Sequence, residues 1–595
     1  MHISRLIAYA PLALAASVQH SRNGQHIFDS QKASASATDD FTCDLPSVLD
    51  PSADGLTSAN ELFTSKDALL KQVERHSALV RVPSVCYDDL DKINDDPRWK
   101  PFYDFHDVLA TTFPLIHERF IREKINTFGL LYTLPGSDPS LKPILLTAHQ
   151  DVVPVADAST WTHPPFDAYF DGTWLWGRGS SDDKNSMTAL LSAVEALLAQ
   201  PSFHPNRTIL LAFGFDEECS GLKGAGAIAS HLKTKLGDDS VAIVLDEGGM
   251  GLHQFDNVLY ALPAVVEKGH IDIWFKLHVQ GGHSSTPFPH TGIGIVSEFV
   301  VALEENPYKP ELIKGSPIYN HYVCQARYSP DAQPEVTKLL HKGDLDALAW
   351  ELASQDRATH YRLQTSQAVD YITGGQKINA MPEVITLGVN YRVAQQNTNV
   401  EVMHDVVKHI TPVANKYGVK IKAFEGEEDY AQYVTAKGNV NSENGNGGDG
   451  LTSPLYDVDY NATLILTATA STQVAPTSPS HDDAVWDVFS GTIQHTFAFD
   501  GGKVVPVGEL MTGNTDTRHY LDFTRNVYRW SPSRDSGSKN IHTIDERVNM
   551  TVHLELVRFY YDFVRNFDAA VDVAKVGTAS GPGAAKTAKK LELEL

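Results

Sequence analysis

Cysteine is scarce in this chain: Cys43, Cys86, Cys219 and Cys324 are the only four among 595 residues. They stand far apart and form no C-x-x-C pair. This argues against a thiolate zinc site and leaves room for one disulfide without a disulfide framework. Positive charge is also short. Lys and Arg number 49 against 74 Asp and Glu, a formal charge of −25. Nucleic-acid binding wants a basic face, so that class is excluded as a partner. The chain has no G-x-S-x-G elbow and no G-x-x-x-x-G-K-[ST] loop, which removes support for a serine hydrolase and for a nucleotide enzyme. There is no internal repeat, and beyond the N-terminus no run reads as transmembrane.

At 595 residues the chain exceeds a single hydrophobic core, and at least two domains are expected. Near the N-terminus, Arg5 precedes an apolar run from Leu6 to Ala16 that contains the small-x-small pattern Ala13-Leu14-Ala15. The run is short for a bilayer span. It reads as a signal peptide over 1–20, with a short signal anchor as the alternative. Sequons at Asn206, Asn461 and Asn549 agree with the secretory pathway, vacuolar or extracellular. Residues 21–60 read as a loose leader, and 576–595 as a disordered Gly/Ala/Lys-rich tail.

Three apolar runs end in charged residues: Ile144 to Ala148 at His149, Ile209 to Phe215 at Asp216-Glu217-Glu218, and Val241 to Leu245 at Asp246. Such runs suit strands buried on both faces of a parallel sheet. Between the first two, Met187, Leu190, Leu191, Val194, Leu197 and Leu198 recur at helical spacing. The alternation predicts an α/β domain, a mostly parallel sheet flanked by helices, over 61–267 and 480–575. From Ile271 to Val279 and from Ile385 to Val393 apolar residues alternate with polar ones, as in strands with one buried face. Helical patterns follow over 292–303 and 403–417. An inserted α+β domain over 268–479 is expected, while 306–364 fits no clear pattern.

Ligands of open α/β sheets gather at the carboxyl ends of the strands. The tips there, with GRGSSDDKNSM and the later GNTDTRHY, offer His149, Asp151, Asp182, Glu217, Glu218, Asp246 and His519. Imidazole with carboxylate is a ligand set for borderline ions such as Zn²⁺.

The motifs H-x-D after a strand, G-R-G-S-x-D-D-K, D-E-E, D-E-G-G, G-G-H-S-S-T-P and a final T-R-H, in that order, resemble the two-zinc exopeptidase family of carboxypeptidase G, aminoacylase and succinyl-diaminopimelate desuccinylase. The carboxypeptidase S branch is the most similar. The resemblance implies two Zn²⁺ per chain, with Asp182 bridging, Glu218 and His519 completing one site, and His149 and Asp246 the other. It implies a cis peptide at Asp182–Asp183, Glu217 as general base, and Asp151 as the carboxylate orienting His149. It also implies His283 as the oxyanion donor, in cis or from a second subunit, and Asn379 and Arg392 at the substrate. Arg392 lacks the family's Asp two residues earlier, where this chain has Asn390. The inserted domain would be a ferredoxin-like lid, with homodimerisation through it. The implied function is a metallocarboxypeptidase acting on short or N-blocked peptides such as Gly-X. An aminoacylase or N-fatty-acyl amino-acid hydrolase would use the same zincs and base. A non-catalytic metal-bearing protein would lack the base, whereas Glu217 is present.

Overall fold

The structure is a computed structural model, and it describes residues 41–93, 95–437, 458–534 and 537–576. The signal peptide, the first half of the leader and nearly all of the tail fall outside these. Among the described residues no helix is long and apolar enough to cross a membrane.

The three apolar runs form neighbouring strands. Ile144–His149 lies between Ile209–Gly214 and Ile243–Asp246, parallel to both, with Ile144 opposite Ile209 and Ile243. Parallel pairing in this register brings the polar tips to one edge. The sheet has eight strands, with Ile121–Ile125 and Gly129–Leu134 antiparallel on one side. On the other side stand Val527–Arg529, Ala264–Glu267 and Glu509–Met511. Every side chain of the three central strands is buried, as continuous apolar runs require. The helix Lys184–Leu198 packs against Met550–Ala569 and Lys66–Val80, and their apolar faces form the main core.

Through Lys268 the chain passes into a second, five-stranded sheet with its own core. Its order is Ser366–Gly374, Val384–Val393, Gly269–His278, Thr463–Thr472, Lys420–Ala423. The first four strands are antiparallel and stand second-third-first-fourth in chain order, the ferredoxin-like arrangement. The helices Gly292–Glu304 and Asn399–Lys416 contribute to that core, the latter carrying Pro412 within it.

Two regions differ from expectation. Residues 41–60 are packed rather than loose: Phe41 and Cys43 are buried, Cys43 is bonded to Cys324, and Pro51–Asp54 forms a 3₁₀ turn. The patternless stretch is helical, as Pro317–Tyr328, Pro334–Lys342, Leu345–Ala353 and Arg357–Leu363. These short helices share a core with Val266 and Leu510 of the eight-stranded sheet, so they cover the edge that Glu509–Met511 would expose. Their apolar residues face a neighbour on one side only, and helices of seven to twelve residues hold too few turns to show a clear period.

Glu509 fastens this cover. Buried on the edge strand, it accepts from His321 Nδ1 at 2.6 Å and pairs with Arg362 at 3.1 Å. Burial works against its charge, yet Arg362 and His321 hold the carboxyl below its ordinary value. Glu509→Ala leaves Arg362 buried and unpaired, an expected loss of about 3–5 kcal/mol in denaturant unfolding. A carboxyl held below its unfolded value stabilises above that value. The gap between native and variant should therefore be full at neutral pH and shrink as pH falls below about 4.

Candidate metal centre

Three strand ends and two loops converge on one carboxylate. Asp182 follows the turn Gly177–Ser181, and its peptide to Asp183 is cis, as the resemblance implies. Asp182 Oδ1 lies 3.0 Å from His149 Nε2, and Oδ2 lies 3.1 Å from His542 Nε2. Glu247 Oε1 stands 3.1 Å from His149 Nε2, and Glu218 Oε1 stands 3.1 Å from His542 Nε2. One carboxylate thus separates two matching sets, His149 with Glu247 and His542 with Glu218. The donor atoms of His149, Asp182 and Glu218 fall within 4.8 Å of one another, as do those of His149, Asp183 and Glu247.

Of the residues singled out in the sequence, His149, Asp182, Glu218, Glu217 and Asp151 come together. Asp151 is fully buried; its two oxygens accept from the backbone N–H of Glu217 at 3.1 Å and of Glu218 at 3.0 Å, and its carbonyl lies 3.0 Å from His149 Nδ1. Glu217 lines the cavity of about 540 Å³ that holds Asp182, Glu218, Glu247 and His542. Burial pushes the Glu217 carboxyl well above its ordinary value; His149 pulls against this, while Asp516, Glu247 and Glu218 add to it.

Asp246 and His519 take other positions. Asp246 ends its strand and is buried, with Oδ1 accepting from the Glu247 N–H and Oδ2 unpartnered. Successive side chains of a strand point to opposite faces, so Asp246 turns inward and its longer neighbour Glu247 reaches His149. His519 packs on the loop after Glu218, its Nε2 3.3 Å from the Ser220 carbonyl, and does not line the cavity. The residue at Glu218 is instead His542, carried by the ribbon Ser538–Lys539 and Arg547–Asn549 that pairs with strand Trp174–Trp176. The signal in the sequence is His542 followed four residues on by an acid, Glu546. That carboxylate is fully buried and accepts from the N–H groups of Gly179, Ser181 and Asp182 and from Arg178 at 2.6 Å.

The surroundings favour cations. Hydrogen bonds to Asp182 and Glu218 raise the His542 imidazole to about 10, so the two carboxylates draw positive charge to this point. Burial, with Asp182 beside it, pushes Glu247 up to about 8. Buried oxygens of Asp183, Asp246 and Asp516 lack any hydrogen-bond partner. Like charges held this close call for divalent ions, and two imidazoles with three carboxylates form a donor set that accepts them.

The remaining residues sit on the five-stranded unit, which the resemblance makes a lid. Arg392 donates to Asn514 at 2.8 Å, and Asn514 lines the cavity. The Asp missing at position 390 has a counterpart across the ladder, where Asp272 pairs in register with Asn390 and accepts from its amide at 2.8 Å. His283 and Asn379 lie at the exposed lid tip: the N–H of Ser284, next to His283, donates to the Asn379 carbonyl, and the His283 ring meets the Ser285 hydroxyl at 2.8 Å. Neither lines the cavity.

Peptidase family M20/M25/M40 matches residues 145–566. Carboxypeptidase S of Saccharomyces cerevisiae is 37% identical over 83% of this chain and 84% of its own length. The N-fatty-acyl-amino acid synthase/hydrolase PM20D1 of Bos taurus is 29% identical over 85% of this chain and 89% of its own. The solved structure of human carnosine dipeptidase 1 shares the fold, with a TM-score of 0.55 and 14% identity over 86% of this chain and 99% of that one. The chain belongs to peptidase family M20/M25/M40 and is a peptidase hydrolase.

Proposed function

We propose that the chain is a two-zinc carboxypeptidase cleaving the amide bond next to a free carboxylate. Asp182 is the shared ligand, His149 and Glu247 hold one ion, and Glu218 and His542 hold the other. Glu247 and His542 thus take the places the resemblance assigned to Asp246 and His519. The observation that carries this reading is Asp182 turning one oxygen to each histidine while Glu217 stands beside it, its carboxylate paired with no other side chain among the described residues.

When bound, the zincs supply Lewis-acid chemistry that acidifies water and polarises the scissile carbonyl. Glu217 takes the proton of the attacking water on a carboxylate oxygen and passes it to the leaving nitrogen. Asp151 fixes His149 and the Glu217–Glu218 backbone. Arg392, seated by Asn514, receives the substrate carboxylate. His283 and Asn379 reach the carbonyl oxygen when the lid tip closes, from the same chain or from a second copy in a dimer. The two disulfides, Cys43–Cys324 and Cys86–Cys219, support an oxidising, secretory compartment.

Met250, Met511, Ile541 and Val552 give the cavity an apolar wall. Together with the similarity to an N-fatty-acyl-amino acid hydrolase, this favours a second reading in which the acyl group is a fatty chain. The purified zinc enzyme separates the two. The first reading expects a higher kcat/KM on benzyloxycarbonyl-Gly-Leu than on oleoyl-amino acids, and the reverse order selects the second.

Two sets of variants test the roles. Glu217→Gln should keep two zincs and lower kcat by about 10²–10⁴, whereas Glu218→Gln should lose zinc as well. Retention of turnover in Glu217→Gln removes it as the base. His542→Ala should lower bound zinc from two toward one per chain by elemental analysis, and His519→Ala should leave it at two; the opposite result restores the assignment made from sequence.

A further inference from the structure

One short segment is tied to the residues that follow three of the site's acids and imidazoles, Asp182, His149 and Glu218. Residues 82–86 form this segment. The Val82 carbonyl accepts from Lys184 Nζ at 2.6 Å, and Lys184, fully buried, lies two residues after Asp182. Ser84 Oγ donates to the carbonyl of Gln150, the residue after His149, at 2.7 Å. Val152 N–H donates to the Ser84 carbonyl and Cys86 N–H to the Val152 carbonyl, at 3.0 and 3.1 Å. The third tie is covalent: Cys86 is bonded to Cys219, which directly follows Glu218. Its Cα atoms are 6.1 Å apart.

The loop at Cys219 needs such a tie more than the others. His149 stands on a strand, and Asp182 is gripped by Glu546. Glu217 to Cys219 form a single 3₁₀ turn, and Ser220 and Gly221 after it have left-handed backbone at φ 86° and 67°. The Asp151 carboxylate accepts from the N–H groups of Glu217 and Glu218, the Asp216 carbonyl accepts from the Cys219 N–H at 3.0 Å, and His519 Nε2 lies 3.3 Å from the Ser220 carbonyl.

We propose that the Cys86–Cys219 disulfide is a positioning element of the metal centre, locking the Glu217–Glu218 turn onto the segment 82–86, so that tight zinc binding requires the oxidised chain. The inference rests on the two-zinc reading. Cys219 is partly exposed and Cys86 is buried, so a dithiol attacks from the Cys219 side. Its thiolate bonds to the Cys219 sulfur, and Cys86 leaves as a thiolate and takes up a proton. The second thiol then closes the reductant's own disulfide and frees Cys219. The dithiol is oxidised and the protein pair reduced, two electrons each.

The test is zinc affinity of the full chain, measured by chelator competition with zinc alone as the probe. Residues that orient metal ligands typically contribute about 10–100-fold in affinity. Cys86→Ser/Cys219→Ser should weaken the looser of the two zincs by that factor. The control is Cys43→Ser/Cys324→Ser, which opens the longer loop, 281 residues against 133, at a site with no contact to the centre. It should lose stability yet keep native zinc affinity. If the first variant does not fold, graded reduction of the native enzyme makes the same comparison, with the freed thiols capped by alkylation, the open pair identified by mass spectrometry and the zinc-binding reductant removed before zinc is titrated. Equal zinc affinity with the Cys86 pair open, or an equal loss with the Cys43 pair open, overturns the proposal. Native protein that binds fewer than two zincs refutes the two-zinc reading instead.

Discussion

The structure turns on a concentration of buried carboxylates that outnumber the two imidazoles, His149 and His542, set among them. Asp182, Glu217, Glu218 and Glu247 surround one cavity, and buried oxygens of Asp183, Asp246 and Asp516 behind it have no hydrogen-bond partner. Burial separates such groups from water, so each charge costs more than it would at the surface. Two cations nearby are committed elsewhere, Lys184 to the Val82 carbonyl and Arg178 to Glu546. On the proposed reading two divalent ions resolve the conflict, and the surrounding scaffold holds the carboxylates in place for them.

That scaffold draws on parts far apart in sequence. The parallel register of the central strands aligns His149, Glu217–Glu218 and Glu247. Glu546 grips the turn before Asp182 from the same ribbon that presents His542, so one segment supplies a facing imidazole and the support for Asp182. The lid joins this site through Arg392 and Asn514. Its tip, with His283 and Asn379, stays exposed.

The central sheet was legible because its strands are buried on both faces and therefore spell continuous apolar runs with polar ends. The lid strands were legible for the opposite reason, a strict alternation. His149, Asp151, Asp182, Glu217 and Glu218 followed from strand ends and motif order. Glu247 did not, because a strand end places adjacent acids on opposite faces and sequence alone does not say which face looks into the cavity. His542 was not found because its position depends on the pairing of Arg547–Asn549 with Trp174–Trp176, segments far apart in the chain, and the His542–Glu546 spacing alone does not report it. The Cys86–Cys219 bond and the packed stretch 41–60 are likewise long-range facts. The short helices over 317–363 take their packing from an edge strand that comes much later in the chain.

Diffraction from crystals of the zinc-loaded enzyme at the zinc absorption edge tests the central claim most directly. The account expects two anomalous peaks, one on each side of the Asp182 carboxylate, the first against His149 and Glu247 and the second against Glu218 and His542. A single peak, or a second ion ligated by His519 or Asp246 in place of His542 or Glu247, would contradict it.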